Sequence, residues 1–179
     1  SAFALLLLLV SAATQILPPG VLELEGEGLT RMAYMAFAPT PKAKPRPETE
    51  ERSGMALEAA IPIYGTDGNP VGVLYGGVLL NRRYSLVDQV KDTVFKGERY
   101  DGKDLGTVTI FQWDLRIATN VMKADGNRAI GTRVSAEVYD QVLENGRSWV
   151  DRAFVVNDWF ITAYDPIRDV DDAVVGSLY

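Results

Sequence analysis

Apolar and polar residues change rhythm several times along this chain, and each change predicts an element. The first stretch, Ala2 to Leu17, carries no charge and contains the run Leu5-Leu6-Leu7-Leu8-Leu9-Val10. Ser11, Thr14 and Gln15 interrupt it and Pro18-Pro19-Gly20 ends it, short of the roughly 18 to 20 apolar residues that a bilayer crossing needs. No basic residue precedes it, which also disfavours a signal peptide. The expectation is a helix buried against the protein; the end of a membrane segment or a targeting sequence is the other reading. Val21 to Phe37 reads as a helix, with Leu22, Leu29, Ala33 and Ala36 sharing a face. Pro39, Pro41, Pro45 and Pro47, set among Lys42, Lys44 and Arg46, then predict an exposed, extended loop.

From Gly54 the rhythm becomes that of strands. Gly54 to Tyr64 and Val71 to Leu80 flank the turn Thr66-Asp67-Gly68-Asn69, which predicts a hairpin. Tyr84 to Phe95 places Leu86, Val87, Val90 and Val94 at helical spacing, with Asp88, Lys91 and Asp92 elsewhere, and predicts an amphipathic helix. A polar loop, Lys96 to Leu105, leads to strands at Gly106 to Trp113 and Leu115 to Val121. Ser135 is a candidate N-cap for a helix carrying Val138, Val142 and Leu143, stopped by Asn145-Gly146. Trp149 to Asn157 and Trp159 to Pro166 complete the strands.

Sliding the chain along itself reveals an internal repeat. Residues 59–75 align with 163–179 without a gap, and eight of the seventeen positions are identical. Pro-Ile closes one strand, an acidic turn follows, and Val-Gly-x-Leu-Tyr opens the next. Two related modules follow as an expectation: 1–83, complete or abbreviated, and 84–179. With antiparallel sheets packed on helices the fold class is α+β.

Several segments resemble Cache-type, PAS-like sensor domains: Thr107-Val108-Thr109-Ile110-Phe111, Arg116 to Val121, Gly126 to Ser135, and Trp159 to Ile167. The nearest likeness is the Cache 3/Cache 2 fusion group, with Gly76 to Asn81 closing the first module. The resemblance implies a periplasmic, ligand-sensing region of an inner-membrane histidine kinase or chemoreceptor, tethered to the membrane outside these residues. Two departures stand out: no long charged helix precedes the first module, and the last strand stops at Tyr179. Together they suggest an excised part of a larger receptor.

Composition narrows the chemistry. The chain has neither cysteine nor histidine, which removes thiol nucleophiles, disulfides, zinc sites built on thiolate or imidazole, and Ser-His or Cys-His pairs. A net charge of −6 works against nucleic-acid binding. Apolar residues at 47% are enough for a core. Gly97 to Lys103 fits the opening of a phosphate-binding loop, but Asp104 stands where a magnesium-binding hydroxyl belongs, so a plain polar loop is expected. Asp169, Asp171 and Asp172 read as a solvated turn rather than a calcium site, since the aligned turn at Gly65 to Gly68 has one acid. Glu23, Glu25 and Glu27 read as a solvated helix surface. No cofactor, no metal site and no catalysis are expected.

A binding group is suggested by Arg116, Arg128, Arg133 and Arg152 among Phe111, Trp149, Trp159 and Tyr164, because a guanidinium fork matches a carboxylate and aromatic walls exclude water. For each alone, a surface ion pair or a core aromatic is the plainer explanation. Alternation along the strands puts Thr109 and Phe111 on one face, and Arg116, Ala118 and Asn120 on another that would meet it. The ligand-binding expectation is therefore Arg116 as anchor, Arg128 in reserve between Gly126 and Gly131, and Thr109, Phe111, Trp159 and Tyr164 as walls, holding a small organic acid or amino acid. The competing expectation is a structural or dimerisation module of a membrane receptor; a homodimer is compatible with either.

Overall fold

The computed structural model describes residues 11–100, 103–156 and 158–179. The expected helix over Ala2 to Leu17 is overturned where it can be seen. Ser11–Leu17 is a strand, β1, antiparallel to β4 (Gly54–Tyr64) from Ser11↔Ala60 to Leu17↔Gly54; residues 2–10 lie outside the described ones. Thr14 is buried and its neighbours only partly so, and the long partner strand supplies the hydrogen bonds that a helix would have made internally. The expected helix Val21 to Phe37 is divided in two, α1 (Pro19–Glu25) and α2 (Leu29–Ala33), followed by the short strand β2 (Met35–Ala36). The break falls at Gly26-Glu27-Gly28, where Gly28 takes φ +88°, a left-handed conformation that suits glycine.

The proline-rich segment is a loop, ended by β3 (Glu50–Glu51), which pairs with β2. β4 and β5 (Pro70–Leu79) form the expected hairpin, and the first sheet has the order β1-β4-β5. The helix α3 (Tyr84–Phe95) leads into a small hairpin of β6 (Arg99–Tyr100) and β7 (Lys103–Asp104), in place of the expected loop. Asp101 and Gly102 of the phosphate-loop match lie outside the described residues. A five-stranded antiparallel sheet follows, built from β8 (Thr109–Gln112), β9 (Leu115–Thr119), β10 (Trp149–Val155), β11 (Asp158–Arg168) and β12 (Val174–Leu178) in the order β10-β11-β12-β8-β9. The segment after Ser135 is a short α4 (Ala136–Val138) continued by a π-helical stretch, Tyr139–Glu144. The whole is α+β with antiparallel sheets.

The repeated segments have the same backbone. Ile61↔Leu74, Pro62↔Val73 and Ile63↔Gly72 in the first hairpin correspond to Asp165↔Leu178, Pro166↔Ser177 and Ile167↔Gly176 in the second. Both ladders shift register at the equivalent step, Ile63/Tyr64 and Ile167/Arg168. The turns match as well: Gly65 N–H donates to Asn69 O as Asp169 N–H does to Ala173 O, and Gly68 and Asp172 both have positive φ. Asp169 accepts from the amides of Asp171 and Ala173, so the acidic cluster folds as a self-bonded turn.

One apolar core joins the halves. Met35 and Met55 pack with Leu80, Val87, Val108, Ile110, Leu115, Ile117, Ala118 and Val175. A second core, within the larger sheet and the helical segment beside it, contains Phe111, Val134, Val138, Val142, Ala153 and Tyr164, with Tyr139, Leu143, Trp149 and Tyr179 at its margin.

A buried arginine in an aromatic core

β8 and β9 are joined by a tight turn at Trp113-Asp114, and their ladder is irregular. Phe111 faces Arg116, while Ile110 faces Ala118, so Ile117 is an extra residue on β9. Such a bulge re-aims side chains. Arg116 turns to the face that carries Thr109, Phe111 and Thr119, whereas Ala118 joins Val108 and Ile110 in the shared core. The expected grouping of Arg116 with Ala118 and Asn120 is thereby corrected: Asn120 instead accepts from Val108 N–H and donates to Val87 O.

Arg116 is only 2% exposed. Its Nε donates to Thr132 Oγ1 at 2.9 Å and its Nη1 to Thr109 Oγ1 at 2.6 Å and Thr119 Oγ1 at 3.3 Å, and the guanidinium carbon lies 4.8 Å from the Phe111 ring centre. Among the described residues no carboxylate forms an ion pair with it. Desolvation lowers its pKa to about 10, partly opposed by Tyr164 and Tyr179, so it remains a cation at neutral pH. Tyr164, 6.0 Å from Phe111 and 4.8 Å from Tyr179 between ring centres, has its own pKa raised, first by burial. A charge in an apolar interior held by neutral hydroxyls and a ring face, without a counter-ion, is costly. It is a site that would favour an anion.

Among the described residues, three further buried polar atoms around the same core lack a hydrogen-bond partner: Ser135 Oγ, Trp149 Nε1 and Ser177 Oγ. Ser177 lies opposite Phe111 in the β8–β12 ladder, and Trp149 opposite Tyr164 in the β10–β11 ladder. Ser135 stands between Val134 and the helix bearing Val138. Each can donate a hydrogen bond, and a buried donor without an acceptor calls for an explanation.

The other expected residues are placed differently. Arg128 grips Asp88 of α3 through both terminal nitrogens, at 2.8 and 2.7 Å, donates to Thr119 O, and lies over the Tyr84 ring. Trp159 is half-exposed, packs edge-on against Phe154 and lies under the Lys42 ammonium. Being five positions from Tyr164 on the same strand, it belongs to the opposite face. Arg133 and Arg46 share the buried Asp114, and Arg152 is exposed. The structure thus gathers Thr109, Phe111, Arg116 and Tyr164, and not Arg128 or Trp159. Sequence reasoning did not place Thr119, Thr132, Ser135, Ser177 or Tyr179 at the site; the first three lie within the segments that resemble Cache domains, and alternation along the last strand and its end relates Ser177 to Tyr179.

A cleft of about 470 Å³ opens beside this core, between the proline-rich loop and Trp113, Asp114, Arg133, Tyr139 and Glu144. Its cations are already answered: Lys44 by Asp140 and Glu144, Arg46 by Glu48 and Asp114, and Arg133 by Asp114. Open space and unmet charge therefore occur in different places, and the unmet charge is the better guide to a ligand because it carries an energetic demand.

Among the described residues no helix is long and apolar enough to cross a membrane, and no group of acidic side chains is placed to hold a metal ion. The sequence model of single Cache domain 3 matches residues 78–179. No curated protein and no solved structure matches the chain.

Proposed function

Because the chain belongs to the single Cache domain 3 family, whose members are sensor modules of the extracytoplasmic type, we propose that it is the ligand-sensing part of a membrane receptor and that it binds a small organic anion. The observation that carries this reading is Arg116, a buried guanidinium with hydroxyl partners and, among the described residues, no carboxylate. A carboxylate placed against it would exchange an uncompensated charge for a charge-assisted pair inside a dry aromatic core. Trp149, Ser135 and Ser177 offer donors for the remaining lone pairs, which suits a short organic acid or an amino acid. Tyr164, Phe111 and Tyr179 would wall its apolar part.

A receptor of the histidine kinase or chemoreceptor kind, with this region outside the cell membrane, follows as part of the proposal. The module catalyses nothing itself; the output comes from unequal affinity of the ligand for two receptor arrangements. α3 is a natural recipient, since Arg128 joins it to β9 through Asp88 and Thr119 O.

Thermal melting of residues 1–179 against a panel of short mono- and dicarboxylic acids and amino acids tests the reading. At saturation a true ligand raises the melting temperature by mass action. The expected result is a set of stabilising acids whose neutral amides have no effect. Equal effects of acid and amide, or none from any acid, would refute it.

A further inference from the structure

The β4–β5 hairpin is apolar and open on its far side. β5 is the edge of its sheet, nine of its ten residues are exposed, and it contains no charged residue. Leu57, Ile61, Ile63, Leu74 and Val78 share one exposed face, while Val73 and Tyr75 stand on the other. Proteins usually protect such an edge with charges, a bulge or a cover. The edge strand β10 of the other sheet carries Asp151 and Arg152; β5 has Pro70 at its start and an extra residue, Val71, where its ladder shifts register, and the same irregularity at Val175 leaves β12 able to pair with β8.

The repeat shows what this edge accommodates. In the second copy of the hairpin the equivalent edge, at Gly176, Ser177 and Leu178, is filled by the antiparallel strand β8. There Val175 O accepts from Trp113 N–H, and Tyr179 exchanges both backbone bonds with Thr109. Equivalence of the two ladders turns the backbone carbonyl of Val71 and the amides and carbonyls of Val73 and Tyr75 outward from β5, with no strand among the described residues to receive them.

We propose that this edge pairs with β5 of a second copy of the chain, antiparallel and centred on Val73. This register places Val73 opposite its counterpart and Val71 opposite the partner's Tyr75, a β-branched against an aromatic side chain, one of the favourable cross-strand combinations. The outward backbone groups of Val71, Val73 and Tyr75 then bond to one another across the two-fold axis. A strand without charge meets its own copy without repulsion. A two-fold contact of this kind closes after two chains. The inference is independent of the ligand and does not rely on the Arg116 site.

Sedimentation equilibrium on residues 1–179 should give twice the 19.6 kDa chain mass, falling to one chain on dilution. Hydrogen exchange should show concentration-dependent protection at the amides of Val73 and Tyr75, while Gly72 and Leu74, bonded to β4, stay protected throughout. Val73→Lys, which sets two cations against each other on the axis, should halve the mass without changing the far-ultraviolet circular dichroism; Val73→Leu should leave the dimer intact. A single-chain mass at every concentration, a dimer that survives Val73→Lys, open-ended assemblies, or a dimer whose β5 amides exchange as in the monomer would each overturn the proposal. The exchange measurement uses the parent protein, so it stands even if a variant fails to fold.

Discussion

Arg116 keeps a full charge at a position where most proteins place an apolar side chain, and that choice has a measurable consequence. Replacing buried paired charges by well-packed apolar residues of similar volume is often neutral or stabilising, by up to about 4 kcal/mol, and a buried charge without a counter-ion has less to lose. Arg116→Met should therefore raise the unfolding free energy of the ligand-free protein by an amount in this range, measured by urea denaturation, while removing any stabilisation by organic acids. A purely structural arginine would show the reverse, a loss of stability. The pH dependence has a definite sign. A base whose folded pKa is depressed, to about 10 from 12.5, destabilises the fold fully below the lower value. The penalty is relieved as pH rises from there towards the unfolded pKa. The stability gap between variant and parent should accordingly narrow as pH rises through about 10; a gap that widens would show that burial is not the cause.

Among the elements, the two hairpins are one sequence solution placed in two environments, and their glycines separate backbone from surroundings. A Cβ on Gly176 would collide with the backbone oxygen of Phe111 and lie 2.7 Å from Met55 Cε, while one on the equivalent Gly72 would meet nothing within 4 Å. Gly176→Ala should cost about 3 kcal/mol, the upper end of the usual overpacking range, since backbone of β8 would have to move. Gly72→Ala should stay within about 0.5 kcal/mol. Thermal denaturation of the two variants below the concentration of self-association checks this; equal effects would mean that the hairpins are packed alike. The hairpins were legible in the sequence because alternation, turn residues and the repeat agreed. β1 was not, because an uncharged run without clear alternation fits a buried helix as well as a strand, and its partner begins 43 residues after Ser11, at Gly54. The bulge at Ile117 was equally hidden: it depends on pairing across the ladder, and it moved Thr119 rather than Ala118 beside Arg116.

For the molecule as a whole, the expected boundary at residue 83 divides the sequence but not the core. Met35 and Met55 precede the boundary and pack with Val108, Ile110, Ile117 and Val175 beyond it. One cooperative transition is therefore expected in calorimetry, and Met55→Ala, which removes a fully buried side chain, should lower it by about 2 to 5 kcal/mol without splitting it. Two separate transitions, with only one responding, would instead favour independent modules. Long-range pairing also explains which expected site residues the structure left apart. Arg128 was a reasonable anchor by composition, yet Asp88, 40 positions earlier, takes its guanidinium. Such a partner cannot be found from local pattern.

The most direct test of the sensor reading is calorimetric titration of the most stabilising acid from the melting panel into the parent and into Arg116→Met. Loss of a charge-assisted contact worth about 1.5 to 3 kcal/mol corresponds to roughly 10- to 100-fold weaker binding, and that loss is expected with the variant at least as stable as the parent. Unchanged affinity in a folded Arg116→Met protein would contradict the account.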